Sequence, residues 1–157
     1  MSDSVKEPKS GPTLSPRNQA MNLLARREHT RAELCTKLAA REYSPEEIEA
    51  TVTALVAEGL LSDERFAEAF VAAKMRVGQG PVRIRMELKK RGVDTEIIQL
   101  HLDNSEIEWC SLVKEVRSKK FGEDVPVEFK EKARQMRFLE YRGFTGEQIR
   151  VALDGNL

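Results

Sequence analysis

The sequence predicts an all-α chain built from three tandem three-helix modules, forming an elongated, curved repeat protein. Two observations carry this. The first is a pattern that occurs three times: Leu, two residues, Arg, one residue, an apolar residue, Ser/Thr/Asp, one residue, Glu, one residue, Ile. It reads Leu38, Arg41, Tyr43, Ser44, Glu46, Ile48, then Leu88, Arg91, Val93, Asp94, Glu96, Ile98, then Leu139, Arg142, Phe144, Thr145, Glu147, Ile149. The copies are offset by 50 and 51 residues, a period typical of stacked supersecondary units. The second is the lack of any run in which apolar and polar residues alternate, so no strand is predicted.

Each copy reads as a helix end, a tight corner and a helix start. In the second, Gly92 follows the helix at a position that favours a left-handed backbone. Val93 then folds back on Leu88, and Asp94 is placed to cap the next helix. In the third copy Gly143, Phe144 on Leu139, and a Thr145/Gln148 capping box fill the same roles. In the first, Ser44 and Glu47 form the box and Pro45 takes the first helical position. Glu42 stands where the other copies have Gly, so that corner is expected to carry about 1 kcal/mol of left-handed strain or to use another turn.

Apolar spacing supplies the flanking helices. Leu34 and Leu38, then Ile48, Val52 and Leu55, keep helical periods across the first corner; Ile84 and Leu88, then Ile98 and Leu102, do so across the second. A preceding helix is expected in each module, over about 15–28, 62–77 and 105–120. Phe66 and Phe70, four apart, are assigned to the core. So is Trp109, on an amphipathic face with Cys110, Ile107, Leu112, Val113 and Val116. A link over 122–127 containing Pro126 separates the last two pairs. The expected organisation is a disordered tail at 1–15, module one at 16–61, module two at 62–104 and module three at 105–157. Modules of roughly 45 residues bury too little surface to be stable alone, and stacking supplies the rest.

The first 15 residues are polar, with no apolar run, so they do not read as a signal peptide. The longest apolar run, Ala69 to Ala73, is far too short to span a membrane. Two cysteines, Cys35 and Cys110, without a CxxC spacing point to the reducing cytoplasm. Two histidines far apart in sequence give no zinc site. His29 precedes Thr30, the expected cap of the second helix. Gly78-Gln79-Gly80 reads as a helix break with Pro81 at a first helical position rather than a phosphate loop. No nucleophile motif appears and the carboxylates lie on exposed helix faces, so no enzyme, catalytic residue, metal or cofactor is expected.

The 26 cations and 26 acids cancel, yet they are segregated. Residues 74–91 hold seven cations (Lys74, Arg76, Arg83, Arg85, Lys89, Lys90, Arg91) against Glu87 alone, a net charge of +6. Residues 42–68 hold eight acids and only Arg65. Such polarity suits a phosphate backbone or a charged protein surface. Arg85, Lys89 and Lys90 align with Cys35, Ala39 and Ala40 in the first copy and with Met136, Glu140 and Tyr141 in the third, so the fold does not require cations there. Lys74, Arg76, Arg83, Arg85, Lys89 and Lys90 therefore form the candidate binding surface. Of these, Arg83, Arg85, Lys89 and Lys90 are expected to stand clear of the core. Arg91 is read as structural, near helix-end carbonyls or Glu96. With Gly92, Asp94, Arg142, Gly143 and Thr145 it makes up the corners.

Several segments together resemble the RecX regulatory proteins. They are Leu23-Leu24-Ala25-Arg26-Arg27-Glu28-His29, Glu58 to Phe66 (EGLLSDERF), Gly80 to Leu88 (GPVRIRMEL) closed by Arg91-Gly92, and Arg137 to Phe144 (RFLEYRGF). The resemblance covers residues 17–153, in order. Gln79 departs from it, where an aromatic or His is expected. The resemblance implies three three-helix modules and a non-enzymatic cytoplasmic regulator of homologous recombination, DNA repair and the SOS response. It further implies binding to the recombinase RecA, chiefly as its filament on DNA and possibly free, with filament growth, ATP hydrolysis and strand exchange inhibited. A monomer with weak DNA contact is expected. The rival reading is an autonomous helical DNA-binding protein, since the Gly-containing corner would suit a helix-turn-helix. Overall neutrality and the scarcity of amide side chains near the basic helix speak against it.

Overall fold

The computed structural model describes residues 14–154; residues 1–13 of the expected tail, and 155–157, lie outside the described residues. Nine helices and no strand are present among the described residues. They are α1 (Pro16–Arg26), α2 (Arg31–Ala40), α3 (Pro45–Ala57), α4 (Asp63–Arg76), α5 (Pro81–Lys90), α6 (Thr95–Leu102), α7 (Trp109–Phe121), α8 (Phe129–Tyr141) and α9 (Gly146–Asp154). The chain divides within α4 into two compact units, residues 1–66 and 67–157.

In the first unit α1, α2 and α3 pack on one another. Ala20 and Leu23, Leu34 and Leu38, and Ile48, Val52 and Leu55 project from the three helices into one core. These are the positions the helical period selects. Ser15 caps α1 by accepting from the Asn18 amide, and the Leu14 carbonyl accepts from the Tyr43 hydroxyl at 2.7 Å. Ser44 and Glu47 form the expected capping box, with Pro45 opening α3. Thr30 caps α2, accepting from the Glu33 amide.

His29 is not the plain residue before a cap that the sequence suggested. It is 1% exposed. Its Nδ1 lies 3.0 Å from the Arg27 carbonyl and so must donate, leaving Nε2 to accept from the Lys37 ammonium, also at 3.0 Å. Burial, first, pushes the imidazole below its ordinary value.

The second unit contains two kinds of pairing: α5 with α6, and α7 with both α8 and α9, which also pack together. Val113, Val116, Leu139, Phe144, Ile149, Ala152 and Leu153 form the core of the latter. All three corners close alike. The amides of Tyr43, Val93 and Phe144 reach back to the carbonyls of Leu38, Leu88 and Leu139, and those of Glu42, Gly92 and Gly143 to Ala39, Lys89 and Glu140. This is the paired bonding of a Schellman cap. The residue at its centre is left-handed each time: Gly92 at φ 83°, Gly143 at 95°, and Glu42 at 66°. Glu42 thus adopts the strained conformation rather than another turn.

Three expectations need correction, those for α7, Phe70 and Asp94; Trp109 packs on the core as expected. Helix α7 starts at Trp109 rather than near 105, because Asn104 closes a turn, accepting from the Glu106 amide on its side chain and from the Ile107 amide on its carbonyl. Ile107 therefore precedes the helix. Trp109 is half-buried, packed against the α7–α9 core, with its indole donating to the Leu102 carbonyl at 3.4 Å. Phe66 is buried, but Phe70 is only half so, since Lys74 and Arg91 stand over its ring at 5.3 and 5.1 Å. Arg91 thus spends its guanidinium on an aromatic face. Asp94 occupies the cap position of α6 without a side-chain capping bond.

One buried cation was not anticipated. Arg117 is 4% exposed and gathers the 122–127 link. Its guanidinium donates to the carbonyls of Glu123 and Asp124 and to Gln135 Oε1. Gln135 in turn donates to Glu131.

Candidate interaction surface on the second unit

Helix α5 begins where α4 ends. Gly78 closes α4, Gly80 takes the cap position and Pro81 opens α5, as the helix-break reading of this segment requires. Gly80 has no side chain to offer, and none would fit. A Cβ there would lie 2.5 Å from the Gly143 carbonyl carbon and 2.6 Å from the Phe144 amide. The backbones instead bond directly: Gly80 N–H to the Arg142 carbonyl at 2.8 Å, and Val82 N–H to the Gly143 carbonyl at 2.9 Å. The first turn of α5 thus finds acceptors for its orphan donors in the α8–α9 corner. Arg142 adds a third link, donating to the Val77 carbonyl at 2.9 Å.

This seating fixes which cations of α5 are available. Arg83 packs its backbone and Cβ on Gly143, stacks its guanidinium 5.4 Å from the Tyr141 ring, and reaches Glu87 at 3.5 Å. Arg83 stays outside the buried core, as expected, but it is half-buried and engaged; the signal for that was Gly143 itself, whose missing side chain makes room for a neighbour. Arg85 pairs with Asp103 at 2.7 Å, and Lys74 lies between Phe70 and Glu87. Lys89 and Lys90 are exposed and form no ion pair among the described residues, and Arg76 is the same. Ile84 and Leu88 are fully buried on the opposite side. Exposed Val82 and Met86, one turn apart, lie beside the cations.

Gln79 departs from the resemblance and is buried, 8% exposed, with its Oε1 lacking a hydrogen-bond partner. Among the described residues no helix is long and apolar enough to cross a membrane, and no group of three or more His, Cys, Asp or Glu side chains could hold a metal. Cys35 and Cys110 are free thiols.

Residues 17–55, 62–102 and 106–153 match the models of the first, second and third three-helix domains of RecX. The chain belongs to the RecX family. It is 47% identical over 136 residues to regulatory protein RecX of Halorhodospira halophila, covering 87% of this chain and 84% of that one. To regulatory protein RecX of Pseudomonas syringae pv. tomato it is 46% identical over 139 residues, covering 88% and 90%. The fold matches a crystal structure of RecX from Lactobacillus salivarius with a TM-score of 0.76 at 21% identity, over 89% of this chain and 93% of that one. Its relatives are named regulatory proteins. The α5 surface belongs to the second of the three domains.

Proposed function

We propose that this chain regulates homologous recombination and DNA repair by binding RecA, above all as its filament on DNA. Bound there it inhibits filament growth, ATP hydrolysis and strand exchange. The observation that carries this reading is membership of the RecX family across all three domains. The chain contributes a surface and performs no chemistry of its own. Lys89, Lys90 and Arg76 face acidic protein surface or DNA within the filament, with Arg85 joining them once its exposed bridge to Asp103 is exchanged. Such a bridge is worth about 0–1 kcal/mol, so a partner displaces it at little cost. Val82 and Met86 add apolar contact beside the cations.

The test is DNA-dependent ATP hydrolysis by RecA, titrated with the chain. Inhibition is expected below one molecule per RecA protomer. Lys89→Glu with Lys90→Glu abolishes it while leaving the melting curve in place, because both side chains are exposed and form no ion pair among the described residues. Reversal of Arg26 and Arg150, also exposed, leaves inhibition intact. No inhibition by the wild-type chain would remove RecA as the partner. Full inhibition by the double variant would remove this helix from the mechanism. A salt-insensitive, sequence-specific complex with DNA alone would favour an autonomous DNA-binding protein.

A further inference from the structure

A second surface lies in the same unit, and no residue of α5 lines it. The end of α4 and the facing sides of α7 and α8 enclose an open groove of about 580 Å³. Its lining is apolar at Met75, Leu112, Val116 and the ring of Phe138, with exposed Val77 alongside. Its rim carries Arg76, Lys119, Lys120 and Arg142 against one acid, Glu115, a balance of 4 − 1 = +3.

The rim cations divide by what already holds them. Arg142 is fixed on the Val77 carbonyl and over Phe138. Lys119 is paired with Glu115 at 2.9 Å. Arg76 and Lys120 are exposed and have no carboxylate partner among the described residues. Cations in the last turns of α4 and α7 are ordinary, since they complement helix-end carbonyls. That accounts for a charge at each end but not for an open apolar floor between them.

The floor also discriminates among anionic occupants. A nucleobase needs a free aromatic face. Phe138 is the only ring in the groove, and it is already engaged: Arg142 stands over it at 5.3 Å, Lys120 at 5.7 Å, and Phe121 meets it edge-on at 5.3 Å. What remains is aliphatic surface beside Arg76 and Lys120, neither of which has a carboxylate partner among the described residues.

We infer that this groove docks an acidic peptide segment of a partner protein, an aliphatic side chain on the floor and flanking carboxylates on Arg76 and Lys120. The inference deepens the proposed function and rests on its premise that the chain docks on a protein; it makes the groove a second contact, lined by neither α5 lysine, with Arg76 the cation shared by both surfaces. Arg offers a carboxylate a two-pronged fork, Lys a point charge.

The probe is a fluorescein-labelled peptide, Asp-Glu-Leu-Leu-Asp-Glu, with the full chain and no RecA. Saturable binding is expected by anisotropy. In methyl-detected NMR the Met75, Leu112 and Val116 resonances should shift, while those of Val52 and Leu55 in the first unit stay put. Arg76→Glu with Lys120→Glu should weaken binding about tenfold or more, as should replacing the peptide leucines by serine. Binding unaffected by either change, shifts absent from the groove methyls of the wild-type chain, or oligo-dT shifting those methyls where the peptide does not, would each overturn the inference. The wild-type NMR result decides the matter even if the double variant fails to fold. Because RecA is absent, failure here leaves the ATPase reading standing, and failure there leaves this one.

Discussion

Arg142, at the end of α8, donates through Nη1 to the carbonyl of Val77, at the end of α4, across 2.9 Å and 65 residues of sequence. The repeat places an Arg at this point in all three copies, and each makes a different contact. Arg41 turns back on the Lys37 carbonyl of its own helix at 3.2 Å, and Arg91 covers Phe70. Arg142 ties the end of α8 to the end of α4, in the preceding domain. Arg142→Met should therefore cost about 1.5 kcal/mol, the scale of a charge-assisted hydrogen bond. Arg41→Met should cost clearly less. Urea denaturation of the two variants gives the comparison.

The corners provide a paired prediction. Glu42 sits at φ 66°, where a side chain is disfavoured by roughly 1–2 kcal/mol. Glycine gives back part of that gain through its freer unfolded chain. Glu42→Gly should thus stabilise by about 0.5–1 kcal/mol. Gly143→Ala should destabilise by well over the 1 kcal/mol that backbone strain alone predicts, since the new methyl meets the Arg83 amide at 2.7 Å. Glu42→Gly lowering the denaturation midpoint would contradict the geometry of that corner.

Arg117 is a third test. Its guanidinium is the partner of two carbonyls in the α7–α8 link and of Gln135. Arg117→Ala leaves these acceptors unpaired where the arginine shielded them, at about 1–3 kcal/mol for a buried polar group left without a partner. Hydrogen exchange should report the loss first in residues 122–128, ahead of α9. Uniform loss of protection across the unit would mean the residue serves the core and not the link.

Acid should act through His29. The imidazole is buried against the Arg27 carbonyl and faces the Lys37 ammonium, with Glu33 the nearby opposing charge. Its folded value is below the ordinary 6.5, so as pH falls the unfolded chain takes the proton first. Its contribution is fully present above about pH 6.5 and is lost as pH falls below that, until the folded imidazole also protonates. The stability of wild type should drop more between pH 7 and 5 than that of His29→Gln. Equal slopes would remove His29 from the acid response; carboxylates such as Glu58 and Glu131, held low by Arg17 and Arg134, lose their contribution only as pH falls below their ordinary 4.5.

The helices and their corners were legible because local rules fix them. A capping box, a left-handed Gly and an apolar pair four residues apart need no knowledge of the rest of the chain, and Ser44, Gly92 and Leu88 all behave as such rules require. The candidate surface was legible only in part. Composition marks Arg83, Arg85, Lys89 and Lys90 alike, whereas tertiary packing sorts them. Arg83 is claimed by Gly143 and Tyr141 and Arg85 by Asp103, whereas the lysines are exposed and form no ion pair among the described residues. Arg117 was invisible because its partners are carbonyls, which every residue has. The groove beside Phe138 was equally hidden, since its rim is drawn from three helices whose individual patterns are ordinary.

The meeting of Gly80 with Gly143 has a consequence for how this protein can drift. Where two side chains interlock, a change in one can be compensated by a change in the other. At this seam the touching atoms are main chain and the Arg83 Cβ, present in every amino acid but glycine, so a second position offers little from which to rescue a first substitution. In a saturation library the two glycines should stand out as nearly intolerant sites with few suppressors, although neither contributes a side chain to any core. Lys89 and Lys90, one helix away, can be exchanged without disturbing the seam. The two domains can therefore keep a fixed joint while the surface they present is free to be rewritten for a changing partner.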